Sequence, residues 1–356
     1  MRKILCLLLT AMVFLTACQT APPVQTPETT GTAPTTVPET TGTVPTTVPE
    51  TTAPTAPTEP PVMHTVYFWT EQKVTNTQGN GGVYTRTYDE KGNLLTDSYA
   101  AADGNTTYSY TYTYDETGKM LTRDSVDSHS TKDHTEYTYD PAGRLVTELF
   151  TNSENYSAKV DYIYREDGKI AEKIVVYDKT QEITAYTYDE NSRLVKEEHT
   201  VRSGEKVQQN TVMEYTYDAA GNKLTQSEIR MGALSRKEEW TYNEAGKVLT
   251  YKEFDGQGNP GEGMKYIYDN QGRLEEETFY KGETAEDAAV YVYDEAGRVI
   301  KRASGIPYEK FITVNRIILY TYDEFGNLLT EVTTKKDGTE LSRREYTYIA
   351  MELPVK

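Results

Sequence analysis

The sequence predicts an all-β protein of about ten tandem β-hairpins, joined into a long curved or spiralling antiparallel sheet behind a disordered amino-terminal stalk. The motif written "YTYDETGKML" at residues 112–121 returns to near residue 348 with a mean spacing of 26 residues. Its turn residues and its alternation of side chains are both typical of paired strands. One unit cannot bury its own apolar face, so the repeated array is itself the fold.

The chain begins with the features of an export signal. Arg2 and Lys3 precede an apolar run that ends at Ala17, which is too short to span a bilayer comfortably. The run closes with "LTAC", which resembles the bacterial lipobox. This resemblance implies cleavage after residues 1–17 and diacylation of Cys18, and two acyl chains suffice for stable anchoring. We therefore expect an exported protein, lipid-anchored to a bacterial membrane and exposed at the cell surface.

Residues 18–62 follow Cys18 as a Thr/Pro-rich linker. They hold 11 of the 15 prolines, no Lys or Arg, and an 11-residue repeat visible in "PETTGTAPTTV" and "PETTGTVPTTV". This composition cannot bury a core and favours an extended spacer. Such segments are glycosylated in some proteins, although a solvated spacer is a sufficient explanation here. Residues 63–356 form the predicted repeat domain.

Composition excludes several kinds of chemistry. The two cysteines are Cys6 and Cys18, so the mature chain has no pair for a disulfide and no thiolate metal site. Without Arg2 and Lys3 the chain has 35 basic and 55 acidic residues, a net charge of −20. A surface this acidic repels polyanions, which argues against nucleic acid as a partner.

Each unit contains a turn that starts with Asp and closes with Gly. The second tyrosine of each motif, here called the anchor, is followed after one position by Asp in eight of ten units, Arg165 and Asn243 being the departures. Asp there accepts backbone hydrogen bonds and starts a turn, and glycine at a fixed offset predicts a positive φ. The anchors are Tyr88, Tyr114, Tyr139, Tyr164, Tyr188, Tyr217, Tyr242, Tyr268, Tyr293 and Tyr322, with a half-unit ending at Tyr348. The glycines are Gly92, Gly118, Gly143, Gly168, Gly221, Gly246, Gly272, Gly297 and Gly326, and Ser192 stands in the remaining unit.

A three-residue hairpin loop with a bulge fixes the register across each turn. Asp then faces the residue five places after the anchor, which is Lys or Arg in seven units and Asn in three, and the anchor faces an aliphatic residue at six places. Opposite charges favour this register. In the sixth unit Leu224 comes one place late, which predicts a local bulge or slip. Period two puts the Tyr-x-Tyr rings on one face, where stacked hairpins would form a tyrosine ladder.

The motifs "YTYDETGKML", "YTYDPAGRL", "YIYDNQGRL" and "YVYDEAGRV" resemble the YD repeats of the RHS (rearrangement hotspot) family over residues 84–348. The resemblance implies hairpins joined into a sheet that winds as a spiral shell, which in large members encloses a toxin or presents an adhesion surface. About ten units are too few for a complete cocoon, and the chain ends at "YTYIAMELPVK" without an effector domain. The Asp-Pro-x-Gly string of the family's self-cleaving core appears only at residues 140–143, as an ordinary turn. Toxin delivery is therefore not expected.

The sequence offers little catalytic chemistry. His129 and His134 lie near Asp127 and Asp133, where a weak metal site is conceivable but solvated loop residues are the better interpretation. The stretch "DGQGNPGEG" at residues 255–263 has oxygen ligands without the spacing of a calcium loop, and we interpret it as a flexible turn. We predict no catalytic residue, cofactor or metal site.

Departures from the period are the remaining candidates for function. Two units are 29 residues long, between Tyr188 and Tyr217 and between Tyr293 and Tyr322, and insertions in repeat proteins often lie on a binding face. The second carries Tyr308 and Phe311 outside the repeat columns, which makes them candidate ligand contacts, although a harmless loop or a sheet bend is an equal alternative. "TVYFWTEQKV" at residues 65–74 is interpreted as a degenerate first strand that caps one edge, with Trp69 packing there.

Three functions remain. The leading hypothesis is a non-enzymatic surface lipoprotein whose sheet binds an extracellular ligand, with glycan or cell-wall polymer ahead of protein because tyrosine rings stack on sugars. The second is a structural or assembly role in which open sheet edges pair with other chains, since edge strands are templates. The third and weakest is a hydrolase, because fold analogy alone supplies no active site.

Overall fold

The computed structural model describes residues 63–105, 107–308 and 311–354, and every regular element in this part of the chain is a β-strand. The predicted signal peptide, Cys18 and the linker lie outside the described residues. The strands are β1 (Met63–Asn76), β2 (Gly82–Tyr88), β3 (Leu94–Ala101), β4 (Thr107–Tyr114), β5 (Met120–Asp127), β6 (Lys132–Tyr139), β7 (Leu145–Asn152), β8 (Ser157–Tyr164), β9 (Ile170–Tyr177), β10 (Thr180–Tyr188), β11 (Leu194–Ser203), β12 (Lys206–Tyr217), β13 (Lys223–Arg230), β14 (Ala233–Tyr242), β15 (Val248–Asp255), β16 (Pro260–Tyr268), β17 (Leu274–Lys281), β18 (Thr284–Tyr293), β19 (Val299–Tyr308), β20 (Phe311–Tyr322), β21 (Leu328–Lys335) and β22 (Glu340–Pro354). The prediction of an all-β hairpin array is confirmed.

The sheet is closed. Each strand pairs antiparallel with the next along the chain, and β1 pairs with both β2 and β22. The expectation of an open curved or spiralling sheet was therefore wrong. The physical reason is β1, which was predicted only to cap one edge: it joins thirteen residue pairs to the last strand and four to the second. Closure removes the free edges on which the assembly hypothesis depended.

The predicted turn geometry is confirmed. Tyr114 pairs with Met120, and the N–H of Asp115 donates to the carbonyl of Lys119 at 2.8 Å. Gly118 has a φ of 86°, and Ser192, the one replacement in that column, keeps the positive value at 62°. Glycine avoids the steric cost of this conformation, and serine bears it in a single unit.

A bulge follows every one of these turns. Tyr114 pairs with Met120 while Thr113 pairs with Thr122, so Leu121 is the extra residue. The sixth unit has the same register, with Tyr217 opposite Lys223 and Leu224 as the bulge. A bulge is present there as predicted, but no slip occurs, because Lys223 simply occupies the aliphatic position.

The tyrosines line the interior of the ring. In β4, "TYSYTYTY", each Tyr is half-buried and each intervening Ser or Thr is exposed. A closed sheet of twenty-two strands spaced about 4.8 Å apart has a perimeter of about 105 Å. Its interior is therefore wider than side chains can fill. Accordingly, no large side chain among the described residues is fully buried, and the buried apolar residues are small: Ala158, Val160, Ala288, Ala289 and Ala303.

The ring has two different rims. One, called the YD rim, carries the ten turns that follow the anchors, and the opposite rim carries the alternate connections, such as the one between β5 and β6. Residues 63–68 of β1 and 349–354 of β22 extend past the level of Tyr348, so they project at the YD rim. There Tyr67 stacks on Phe325 and Phe68 contacts the Tyr88 ring, with centroids 4.9 and 4.8 Å apart.

Candidate functional site

The anchor tyrosines join each hairpin to the one before it. The hydroxyl of Tyr164 donates to the carbonyl of Leu145 at 2.7 Å, and β7 and β8 stop pairing at Thr147, two residues beyond that carbonyl. All eleven anchors, from Tyr88 to Tyr348, make the equivalent bond at 2.7 to 3.1 Å. The tyrosine column is therefore scaffolding. The alternation of side chains along the strands predicted the face of these rings but not the carbonyl groups that their hydroxyls bind.

The basic column serves two neighbouring units. Arg298 Nε donates to Asp294 at 2.7 Å in its own turn, while its guanidinium lies 4.9 Å from the ring centre of Tyr322 in the next unit. All seven basic residues at this position stack on the next anchor, at 4.6 to 5.5 Å. The predicted ion pair forms in the four arginine units. In the three asparagine units the Asn side chain bonds to the corresponding Asp at 2.8 Å, and in the three lysine units no such pair is seen among the described residues.

The turn aspartates are held as anions. The backbone N–H of Arg144 donates to Asp140 at 2.8 Å, and this bond, with the guanidinium of the same residue, lowers the pKa of Asp140. The N–H of Arg193 does the same to the pKa of Asp189. The carboxylates of these aspartates are therefore committed to the geometry of their turns.

A charge belt lies inside the ring, which the sequence analysis missed. The residues nine positions after successive anchors alternate in sign and then break with two neutral residues: Asp97, Arg123, Glu148, Lys173, Glu197, Gln226, Tyr251, Glu277, Arg302 and Glu331. Each faces the residue two before its anchor, as Tyr162 faces Lys173. An alignment of the repeats that compared the residues nine positions after each anchor would have revealed this charge belt.

Most of the belt carboxylates receive hydrogen bonds from the next hairpin. Tyr162 donates to Glu148 and Tyr215 to Glu197, both at 2.7 Å. Arg302 and Tyr291 both donate to Glu277 at 2.8 Å. These bonds link each of the three hairpins to the one before it through a carboxylate on the inner face.

The predicted ligand contacts Tyr308 and Phe311 lie at the tip of the β19–β20 hairpin on the opposite rim. They are a cross-strand pair, 68% and 76% exposed, beside Ile306 at 59%. Strand pairing continues to the tip, so the long unit is an extended hairpin and not an irregular loop. The other 29-residue unit also extends its hairpin, β11–β12, which ends near Val207, 48% exposed.

The weaker sequence candidates lie apart from this tip. His129 is exposed in a turn, and His134 Nδ1 lies 2.7 Å from Asp124 on the outer surface. Hydrogen bonds from the imidazole to Asp124 and Glu136 raise the pKa of His134. Asp255 accepts the N–H groups of Gln257 and Asn259 as an ordinary turn residue. Within residues 63–105, 107–308 and 311–354 no group of three or more His, Cys, Asp or Glu is suited to a metal ion.

Among the residues that the structure describes, there is no helix long and apolar enough to cross a membrane.

Comparison with known proteins supports the repeat assignment. Residues 104–278 match the family model described as Teneurin YD-shell. The match covers a little under half of the chain and confirms that the hairpins of this part resemble YD repeats, and the closed sheet has the fold of a YD-shell scaffold. No match was found among curated proteins.

Solved structures with similar chains include two kinds of protein. The complex TcdB2-TccC3-Cdc42 has a chain that is 14% identical, with a TM-score of 0.39, over 77% of this chain and 17% of that one. TcdB2-TccC3 without its hypervariable C-terminal region is 14% identical, with a TM-score of 0.33, over 76% of this chain and 18% of that one. A porin-like protein from Bacteroides uniformis is 9% identical, with a TM-score of 0.29, over 82% and 99%. This chain thus spans less than a fifth of the length of the two toxin chains.

Proposed function

We propose that this chain is a non-enzymatic binding module of the bacterial cell surface, anchored by acyl chains on Cys18, whose β19–β20 tip contacts a glycan or cell-wall polymer. The observation that carries the proposal is the exposure of Tyr308 and Phe311. Aromatic side chains this exposed at the end of a paired hairpin gain little from the fold, whereas a ligand would bury them.

The repeat columns support this choice by elimination. Anchor, aspartate and basic residues all have bonds within the shell, as Tyr322, Asp294 and Arg298 illustrate. A surface free to bind must then be found where the repeat is interrupted, and the tip is such a place. The net charge of −20 in the mature chain favours neutral or cationic polymers over polyanions.

The test of binding uses the mature protein against insoluble cell-wall polymer, chitin and cellulose in a sedimentation assay. The double variant Tyr308→Ala/Phe311→Ala should lose at least about tenfold in affinity, equal to about 1.4 kcal/mol. Val207→Ala, at the tip of the other long hairpin, is the matched control and should bind like the unaltered protein. Equal binding by both variants, or no binding by the unaltered protein, would sink the proposal.

The anchor has its own test. Cells making the full chain should incorporate labelled palmitate into it and retain it in the membrane fraction, and Cys18→Ser should abolish both. Release of the unaltered protein into the medium would contradict the anchor and leave the binding result standing.

A further inference from the structure

Five tyrosines form a continuous aromatic surface on the inner face of β2, β3 and β4, here called the tyrosine patch. Successive ring centres lie 4.5 to 6.4 Å apart in the order Tyr84, Tyr99, Tyr108, Tyr110 and Tyr112. The repeat accounts for only one of them, Tyr112, as the residue two before an anchor. The other four are additions to the pattern, concentrated in two neighbouring hairpins.

Most hydroxyls of the patch have no hydrogen-bond partner among the described residues. Tyr99 approaches the carbonyl of Gly81 at 3.5 Å, whereas no hydrogen bond within the described part of the chain reaches the hydroxyls of the other four. None of these oxygens is sealed from solvent, since Arg202 Nε is the one buried and unbonded side-chain nitrogen or oxygen among the described residues. Burial raises the pKa of Tyr108 and of Tyr112 to about 12, so both are neutral phenols near pH 7. Each can therefore donate and accept.

A cavity of about 280 Å³ opens at the end of the patch on the opposite rim. Val74, Tyr84, Tyr99, Ala101 and Asp103 line it together with residues 79–81. Gly82 makes room for this arrangement, because a Cβ there would lie 2.4 Å from the Tyr99 ring. The volume is near the lower end for ligand pockets, about 300 Å³, and suits a single small ring.

The charges around the patch decide which ligand chemistry fits. Arg86 is neutralised by Asp97 at 2.9 Å and lies over Trp69, so it is not available to an anion. Asp103, which also lines the cavity, adds a negative charge. Aromatic faces beside unpaired hydroxyls and a carboxylate match a ligand with apolar faces and many hydroxyl groups.

We propose that the tyrosine patch and its cavity bind a neutral sugar residue at the end of a glycan chain. The site shares its ligand class with the proposed function and rests on that function in this respect alone. It lies on different strands from the β19–β20 tip, and its failure is separable from the failure of the tip.

The test titrates soluble cellohexaose and chitohexaose into the mature protein by calorimetry. The double variant Tyr84→Phe/Tyr108→Phe keeps the rings and removes two hydroxyls, so it should fold normally and bind at least tenfold more weakly. The matched control is Tyr266→Phe, since Tyr266 is half-buried in β16 and its hydroxyl has no hydrogen bond within the described residues. Tyr308→Ala/Phe311→Ala should leave hexamer binding unchanged.

A footprint gives a second readout that needs no variant. Saturating hexamer should protect Tyr84 and Tyr110 from nitration by tetranitromethane, measured by mass spectrometry, and leave Tyr308 reactive. Absence of heat, unchanged affinity in Tyr84→Phe/Tyr108→Phe, or protection of Tyr308 alone would each overturn the site. Polymer binding that survives in Tyr308→Ala/Phe311→Ala, with hexamer binding intact, would overturn only the proposed function.

Discussion

The hydroxyl of Tyr188 donates to the backbone carbonyl of Ile170, 3.0 Å away, at the place where two hairpins part. The ladder between β9 and β10 ends at Glu172 and Ala185, so the carbonyl of Ile170 has no strand partner on that side. A side-chain hydroxyl thus continues a backbone ladder by one bond. Since the same bond recurs in every unit, it explains why the array keeps tyrosine, and not phenylalanine, at the anchor.

Removing that hydroxyl should destabilise the ring. Tyr188→Phe leaves the carbonyl of Ile170 without its bond, and we expect a loss of about 1 kcal/mol in the free energy of unfolding. Tyr186→Phe is the control, because Tyr186 lies two residues earlier on the same face and its hydroxyl has no bond within the described residues. Urea denaturation of both variants checks this. Equal losses would show that the bond adds nothing beyond packing.

Replacing one arginine of the basic column should weaken the contact between hairpins while sparing the turn. Arg298→Asn reproduces the natural pair of Asn222 with Asp218, whose side chains bond at 2.8 Å. It loses the stacking on Tyr322 and the bond to the carbonyl of Asp323, 3.3 Å away. We expect about 0.5–1 kcal/mol of destabilisation by thermal or urea unfolding. The reciprocal change Asn222→Arg should not destabilise, and a loss there would contradict the assignment.

Acid should weaken the shell through its turns. The pKa of Asp140 is lowered in the folded chain, chiefly by the backbone N–H of Arg144, so the native state binds its proton less readily than the unfolded state. The resulting stability is present above the ordinary pKa of about 3.9 and is lost as the pH falls through the lower folded value. Unfolding midpoints in urea should drop steeply below about pH 4. Asp140→Asn, which imitates Asn243, should make this drop smaller, and an unchanged profile would contradict it.

High pH should also destabilise the shell, here through the anchor tyrosines, whose pKa is raised where that of the turn aspartates is lowered. Burial raises the pKa of Tyr114 to about 12, and its phenol donates to the carbonyl of Leu94 at 2.7 Å. Its contribution is complete below the ordinary value of about 10 and is lost as the pH rises through about 12. Tyrosinate absorbance and the circular dichroism of the strands should therefore change together in that window. Ionisation of most tyrosines near pH 10 with the strands intact would refute this.

Removing strand β1 should open the closed sheet, and adding β1 back as a peptide should close it again. A variant lacking residues 63–76 exposes the edges of β2 and β22, and we expect it to self-associate in light scattering. A synthetic peptide of residues 63–76 should return it to monomers, since most of its pairing is with β22. A peptide with the same composition in scrambled order is the control. Monomers without any peptide would show that the two edges close by themselves.

The sequence determined the repeat, the turn and the face of each residue. Asp and Gly at fixed offsets predicted the positive φ of Gly118, and alternation placed Tyr112 and Tyr114 on one face, because these properties depend on residues close together in the chain. The sequence also identified the long unit, since Tyr308 and Phe311 do not occupy repeat positions. The sequence did not predict contacts between neighbouring hairpins, and the partner of the Tyr188 hydroxyl was therefore missed.

Only the tertiary structure decided that the sheet closes. Whether Trp69 reaches Tyr348 depends on the twist and tilt added by twenty-two strands, a small angle repeated many times. No local pattern sets that sum, so the sequence was compatible with an open spiral. The same closure brings the tyrosine patch of β2, β3 and β4 to the inner face of a ring, where it forms a surface that no single repeat predicts.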